Sequence, residues 1–297
     1  MKNPVAVIFD RDTILHLRIP FSLFLFPIFC FAVSQAASLN WMNILVVFIS
    51  LHFFIYPASN AYNSYMDNDK GSIGGLKTPP PVTIKLYYAS IIFDTIGLLL
   101  CFLINGWLVL LMTLCVVVSK AYSWHGIRLK KYGVLSWLVV VLFQGAYTFM
   151  MVNMCCENKF ATEWFSEKNI LGMLIATLLI GGFYPLTQIY QHEEDSARGD
   201  FTISYKLGVI GTFLFTAALF VIANGLAFYY FNTFYNSNQF LLFNLCLLPV
   251  TAYFLYWVIV TLKDRSKADY DHSTRMTVIS SLSMIVCFAV IFFLNHG

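Results

Sequence analysis

Amide and carboxylate side chains are concentrated in one segment of the sequence, residues 59–71. Asn60, Asn63 and Asp67 are spaced i, i+3 and i+7, so they share one face if this segment is helical. Their oxygen atoms suit a hard cation such as Mg²⁺, which usually takes one or two carboxylates while substrate phosphates complete its shell. A polar helix end followed by a turn rich in Asn, Asp and Gly explains the same residues equally well.

A second polar segment, residues 190–202, has a similar pattern. Gln191, Glu194 and Asp195 are spaced i, i+3 and i+4 and again share a helix face. Two such segments favour a two-metal site, in which the metals clamp one diphosphate and stabilise its charge as it leaves. The alternative is a solvated acidic loop. We expect His192, beside these carboxylates, to be hydrogen-bonded rather than to bind a metal.

Basic side chains form a third cluster in residues 120–131. Arginine holds phosphate oxygens through a bidentate fork and lysine holds them as a point charge, so Arg128 and Lys130 suit a diphosphate. A topology signal with additional contacts to lipid headgroups accounts for this cluster as well.

The composition indicates the kind of scaffold that must position these groups. Of the 297 residues, 59% are hydrophobic and only 11% are charged, whereas a soluble domain has about 25% charged residues. This excludes a soluble globular enzyme, a disordered chain and a basic nucleic-acid-binding protein. The seven cysteines form no CxxC pair, which argues against a zinc or redox site, and no cleavable signal peptide is evident.

Apolar runs of the length of a membrane helix recur along the whole chain. A bilayer core takes about 20 apolar residues as helix. We therefore predict an all-α membrane protein, a single domain of residues 1–297. Its nine predicted spans are residues 19–37, 42–65, 83–104, 106–122, 133–153, 169–190, 207–231, 239–262 and 276–295.

The basic residues alternate with these spans. Sixteen of the 18 Lys and Arg residues fall in alternate connections, beginning with Lys2 before the first span, and only Lys159 and Lys168 fall on the opposite side. The positive-inside rule then predicts a cytoplasmic N-terminus and an exoplasmic C-terminus. Both acidic segments fall on the basic side, which this rule does not explain because acidic residues contribute little to orientation.

The three polar segments, in this order on nine spans, resemble the UbiA-type intramembrane prenyltransferases. Residues 63–71 are similar to the NDYxDxxxG motif of the naphthoate (menaquinone-type) branch, and residues 77–81 to the family's basic, proline-containing loop. Residues 191–199 resemble its DxxxDxxxG motif. Residues 122–130 resemble its Tyr-Ser-x-x-x-Arg-x-Lys segment, and residues 18–20 its opening Arg-x-Pro. Ser64 and Gln191 stand where the family usually has Asp, which removes negative charge from the expected metal site.

The resemblance implies Mg²⁺-dependent transfer of an isoprenyl group from a prenyl diphosphate to an aromatic or other lipophilic acceptor. It implies that Asp67, Asp195 and Tyr122 are catalytic and that Asn60, Asn63, Lys77, Arg128, Lys130 and Arg198 bind the diphosphate. It implies that the metal ligands are Asn63, Asp67, Asp69, Gln191, Glu194 and Asp195. Aromatic faces stabilise an allylic cation, and the candidates that adjoin the motifs are Tyr62, Tyr65, Tyr122 and Tyr190.

The expected partners are the prenyl diphosphate, the acceptor and membrane lipids, with no nucleic acid. The register of Tyr65 and Gly71 favours a naphthoate or related acceptor, hence quinone biosynthesis. The expected location is the plasma (inner) membrane, with the active site on the cytoplasmic side. Alternatives are a transporter or ion pathway, a terpene cyclase, and a family member without transfer activity. Asp94, a lone acid within a span, either deprotonates the acceptor or has a structural role.

Overall fold

The structure, a computed structural model, describes residues 8–297 and is almost entirely helical. Lys2, the first of the basic residues used to orient the chain, lies outside the described residues. β structure in the described chain is limited to the two-residue strand Phe201–Thr202 and isolated bridges. The helices are α1 Arg11–Leu17, α2 Ile19–Ser22, α3 Phe26–Gln35, α4 Trp41–Ile49, α5 Tyr56–Asp67, α6 Lys85–Cys101, α7 Gly106–Ser123, α8 Gly133–Val141, α9 Thr148–Glu157, α10 Glu167–Phe183, α11 His192–Ala197, α12 Ile203–Phe234, α13 Ser237–Lys263 and α14 Tyr270–His296.

Eight helical stretches of the described chain are long and apolar enough to cross a membrane. The third predicted span coincides with α6, which has 17 residues and is therefore about 26 Å long, slightly less than a hydrocarbon core of about 30 Å. The total of nine spans and the orientation of the termini remain predictions. The eight stretches are Arg11–Gln35, Trp41–Asp67, Gly106–Ser123, Gly133–Glu157, Glu167–Gln188, Ile203–Phe234, Ser237–Lys263 and Tyr270–His296.

The chain divides into two compact units. The first comprises Met1–Leu23 and Trp41–Lys131, and the second comprises Phe24–Asn40 and Tyr132–Gly297. The first polar segment and the basic cluster therefore belong to the first unit, and the second polar segment to the second unit. The single-domain organisation remains a prediction.

In the first unit, the Asn/Asp segment forms the last turns of a membrane-length helix, as predicted. A π-helical turn, Ser50–Ile55, joins α4 to α5, and Pro57 is the second residue of α5. Proline has no backbone N–H and its ring disfavours the regular α-helical ladder, which explains why the wider turn lies here. The helix ends at Asp67, and its C-cap residue, Asn68, has a left-handed φ of 51°.

In the second unit, the end of the sixth span differs from the prediction. The sequence pattern extends this span to residue 190, but α10 ends at Phe183 and a 3₁₀ segment, Tyr184–Gln188, follows. Pro185 lies in this segment and provides no donor for a continued helix. The second polar segment consequently forms a separate helix, α11, for which Gln191 is the N-cap residue. Glu194 and Asp195 lie in its first turn.

Candidate active site

Two helices of the first unit are joined by a pair of side-chain hydrogen bonds that positions the first polar segment. The Ser119 hydroxyl donates to Ser59 at 2.6 Å, and the Asn63 amide donates to the Ser123 hydroxyl at 2.9 Å. The contact advances by four residues on both helices, so α5 and α7 run in the same direction. The predicted alternation requires this, because these helices belong to the second and fourth spans.

Asp67, at the end of α5, is the centre of a charge cluster. Its carboxylate lies 2.5 Å from the Lys130 ammonium and 4.0 Å from the Arg128 guanidinium, and it accepts a hydrogen bond of 2.8 Å from the Asn63 amide. The side chains of Asp67 and Lys130 are only 4% and 7% exposed. The structure thus brings together four residues that the sequence analysis assigned to metal and diphosphate binding.

The connection after α7 presents both cations to Asp67. Arg128 has a left-handed φ of 45°, and its backbone N–H bonds to the Trp124 carbonyl at 2.6 Å, which closes a tight turn. The 3₁₀ segment Leu129–Lys131 follows and contains Lys130. The guanidinium of Arg128 also lies 2.9 Å from the His125 ring nitrogen. The two cations therefore lie more than 55 positions after Asp67 in the sequence but beside it in space.

The other residues assigned to this site lie at its periphery or in the adjacent loop. The amide of Asn60 donates to the Leu17 carbonyl and the Ser22 hydroxyl, both at 3.4 Å, so it contacts the N-terminal helices. Tyr122 precedes Ser123 on α7, and Asp69 and Lys77 lie in the loop of residues 68–84. Their functional roles remain predictions.

In the second unit, Arg198 is the centre of a second charge cluster. Its guanidinium lies 2.8 Å from Asp195, 3.5 Å from Glu194 and 3.8 Å from Asp200. Asp195 is 7% exposed and Asp200 only 1%. The sequence pattern predicts no role for Asp200. Gly199, with φ of 77°, turns the chain back so that the Asp200 N–H reaches the Asp195 carbonyl at 2.9 Å, and this glycine was the available signal.

His192 lies beside the second cluster. Its Nε2 atom is 2.8 Å from the Ser204 hydroxyl, and burial lowers the pKa of the imidazole below its ordinary value. A lowered pKa favours the neutral ring near neutral pH. A neutral histidine that shares a hydrogen bond agrees with the expectation from the sequence.

Asp94 is paired with Lys120. The carboxylate on α6 and the ammonium on α7 are 2.7 Å apart, with side-chain exposures of 9% and 18%. The same ammonium lies 4.3 Å from the ring centre of Tyr62. This pairing favours the structural role for Asp94. It also places a cation against one face of Tyr62, so that face is not available to stabilise an allylic cation.

The oxygen atoms of the two charge clusters suit a hard cation whose coordination shell is completed by a substrate. No group of three or more His, Cys, Asp or Glu side chains in residues 8–297 is arranged to bind a metal by itself. Asp67 and Asn63 provide one carboxylate and one amide oxygen, and Glu194 and Asp195 provide two carboxylates. Mg²⁺ sites completed by substrate phosphates commonly have one or two carboxylates. These residues therefore fit Mg²⁺ bound together with a diphosphate.

Known proteins are similar to this chain in sequence profile and in fold. The profile of the UbiA prenyltransferase family matches residues 23–279. A UbiA homologue from Aeropyrum pernix K1 without ligand has 14% sequence identity and a TM-score of 0.70, with 94% of this chain and 99% of that chain covered. No curated protein matches the sequence.

Two structures of a UbiA homologue from Archaeoglobus fulgidus are also similar. The one bound to DMAPP and Mg²⁺ has a TM-score of 0.68 and 18% identity, covering 95% of this chain and 99% of that chain. The one bound to GPP and Mg²⁺ has a TM-score of 0.66 and 20% identity, covering 94% and 99%. At these identities the structures show a shared fold, and the profile shows the family. The chain belongs to the UbiA prenyltransferase family.

Proposed function

We propose that this membrane enzyme transfers an isoprenyl group from a prenyl diphosphate to a lipophilic acceptor, with Mg²⁺ as cofactor. Family membership supports prenyl transfer. Structures of a similar protein bound to GPP or DMAPP and Mg²⁺ support the choice of donor and metal. The observation that carries the proposal in this chain is the buried pair of Asp67 and Lys130.

This pair is suited to a ligand that carries both signs of charge. A buried charge that loses its partner is strongly destabilising, so a ligand of a single sign that displaced Asp67 or Lys130 from this pair would weaken the pairing of the other. A divalent cation and a diphosphate that bind together provide a partner for each. On this proposal Asp67 and Asn63 hold the cation, and Arg128 and Lys130 hold phosphate oxygens.

Ionisation of the donor needs negative charge to be stabilised where it develops. When bound, Mg²⁺ supplies Lewis-acid stabilisation of the departing diphosphate. Arg128 and Lys130 are already fixed beside Asp67, so they require little reorganisation as charge moves onto the phosphate oxygens. Lys77 and Tyr122 are proposed to line the same site.

The second cluster supports a parallel assignment. Arg198 neutralises Glu194 and Asp195 in the structure, at 3.5 and 2.8 Å. We assign the two carboxylates to a second cation, with Gln191 as a further oxygen donor, and Arg198 to the diphosphate. Asp200, buried and 3.8 Å from Arg198, retains a partner charge for the guanidinium.

The finer parts of the proposal depend on the sequence pattern. The register of residues 63–71 favours a naphthoate or related aromatic acceptor, and therefore quinone biosynthesis. We assign the protein to the plasma (inner) membrane, and the distribution of basic residues favours an active site on its cytoplasmic side. The parallel direction of α5 and α7 is consistent with this topology.

Prenyl transfer can be tested with purified protein in lipid nanodiscs and radiolabelled prenyl diphosphates of several chain lengths, with and without Mg²⁺ and an aromatic acceptor. We expect Mg²⁺-dependent product in the wild type and a loss of at least about 100-fold in Asp67→Asn, the size of effect seen when one electrostatic contact to a transition state is removed. Asp264→Asn is the matched control, because the side chain of Asp264 is 52% exposed.

The outcomes separate the alternatives. Folded wild-type protein that neither releases diphosphate nor forms product under any condition contradicts the proposal. Diphosphate release without an added acceptor, accompanied by a cyclic product, indicates a terpene cyclase. Full activity in Asp67→Asn contradicts the assignment of the metal site.

A further inference from the structure

The loop between α5 and α6, residues 68–84, is held in place by the chain that precedes the first polar segment. This loop has little regular structure, yet it contains Asp69 and Lys77, which the sequence pattern assigns to ligand binding. It begins directly after Asp67. The conformation of the loop therefore decides where these two side chains lie relative to the end of α5.

A tight turn organises the middle of the loop. The backbone N–H of Ile73 bonds to the Leu76 carbonyl and the N–H of Leu76 to the Ile73 carbonyl, both at 2.9 Å. Gly75 lies at the corner of this turn with φ of 85°, a conformation that glycine adopts without strain. The Ser72 hydroxyl donates to the Lys77 carbonyl at 2.8 Å, so the position of the turn fixes the backbone of Lys77.

One side chain joins this turn to α5. The guanidinium of Arg18 donates from Nη1 to the Gly74 carbonyl and from Nη2 to the Asn60 carbonyl, both at 2.9 Å. Arg18 is only 7% exposed and has a left-handed φ of 49° between α1 and α2. The planar fork thus bridges two backbone oxygens that are 14 residues apart, one on the loop and one on the helix that ends at Asp67.

Three neighbouring contacts strengthen this attachment. The Phe21 ring packs directly on the turn, since a Cβ atom on Gly74 would lie 2.5 Å from the ring atom Cζ of Phe21. The His16 Nε2 atom is 2.8 Å from the Pro80 carbonyl, and Asp10 forms an ion pair of 2.5 Å with Lys85, where the loop ends. Contacts from residues 10–21 are therefore distributed over the length of the loop.

We infer that Arg18 is a positioning residue that holds the loop of residues 68–84 in its ligand-binding conformation without touching the ligand. This inference rests on the proposed function, because it concerns the affinity for the prenyl diphosphate. A loop that is ordered before binding does not lose conformational freedom when the ligand binds, so the affinity is higher. Loss of Arg18 should therefore raise KM for the donor and leave kcat largely unchanged.

Hydrogen–deuterium exchange tests the attachment independently of activity. In full-length protein in nanodiscs, we expect Arg18→Gln to increase exchange of the Ile73 and Leu76 amides by about tenfold or more, since hydrogen bonds to a charged group are lost. Arg11→Gln is the matched control in the adjoining helix α1, because Arg11 is exposed, and exchange in the loop should not change. Arg18→Lys should be intermediate, because a single ammonium does not reproduce the fork.

Kinetics with the labelled donor test the consequence. We expect KM to rise about tenfold in Arg18→Gln with kcat within about twofold, in proportion to the exchange in the loop. Gly75→Ala provides a second route if Arg18→Gln does not fold, because alanine at positive φ strains the turn while Arg18 is retained, and should also increase exchange about tenfold.

Unchanged exchange in the loop of folded Arg18→Gln overturns the inference, whatever its activity, and so does unchanged exchange in Gly75→Ala if Arg18→Gln does not fold. A fall in kcat at constant KM also overturns it, because Arg18 would then act on the chemical step. If the wild type shows no prenyl transfer, the proposed function fails, while the exchange experiment still decides whether Arg18 holds the loop.

Discussion

Replacement of Lys130 by methionine isolates the charge on which the proposed site depends. Methionine keeps the length of the side chain and removes the ammonium that lies 2.5 Å from Asp67. After the substitution, the carboxylate retains the Asn63 amide and the guanidinium of Arg128, which is 4.0 Å away. Because Asp67 is 4% exposed, water does not replace the lost partner.

The distances give the size of the effect. At an effective dielectric constant of about 20, the attraction is about 7 kcal/mol for a pair at 2.5 Å and about 4 kcal/mol for a pair at 4.0 Å. Desolvation offsets much of this attraction, and removal of one partner of a buried pair typically costs about 3–5 kcal/mol. The unfolding entropy of 297 residues is about 0.6 kcal/mol/K, so Tm should fall by about 5–8 °C.

A double-mutant cycle provides the assay. Tm is measured in detergent for the wild type, Lys130→Met, Asp67→Asn and the double variant. We expect each single variant to lose stability, and the double variant to lose about 3 kcal/mol less than their sum, because neither Asp67 nor Lys130 is then left without the other. Lys131→Met is the control, because its exposed side chain should change Tm by only about 1 °C.

Additive losses in the double variant would refute this reasoning, because they would show that Asp67 and Lys130 do not interact. An equal loss in Lys131→Met would show that the effect depends on net charge rather than on the buried pair. The same set of variants separates stability from catalysis, since Asp67→Asn with Lys130→Met should be about as stable as either single variant but inactive.

Three further predictions follow from other contacts. Asp94→Asn should lower Tm by about 5 °C or more, and addition of Lys120→Met should restore Tm and retain prenyl transfer; a stable but inactive double variant would instead place this pair in the reaction. Gly145→Ala should cost about 1–3 kcal/mol, because its Cβ would lie 2.6 Å from the backbone of α10, whereas Gly225→Ala, with open space around it, should cause no loss; equal Tm values for the two would contradict the close packing. The pKa of Asp10 is lowered to about 2 by hydrogen bonds from the Lys85 ammonium and the Thr13 backbone N–H. The contribution of Asp10 to the stability of the fold is therefore present above pH 4 and is lost as the pH falls towards about 2. For this half-exposed pair, Asp10→Asn keeps the cap and should cost less than about 1 kcal/mol at pH 7, and the difference from wild type in chemical unfolding should vanish near pH 2; a difference that persists there would contradict the ion pair.

The sequence by itself determined the class of the fold and which polar and charged residues lie at the ends of the membrane helices. Apolar runs and helical spacing are local properties, so the helices that bear Asn60, Asn63 and Asp67 were predictable. The break before Gln191 was not predicted, because the apolar pattern continues through Pro185, although proline marked a position where the helix was free to end.

Only the tertiary structure decided which charges are partners. Asn63 meets Ser123 across 60 positions, Asp67 meets Lys130, and Arg18 meets the loop at Gly74. No periodicity in the sequence specifies these contacts, because they depend on the relative directions of helices and on tight turns. In a medium of low dielectric constant every buried charge needs a partner. The packing of the helices therefore brings acidic and basic residues that are distant in sequence into paired clusters.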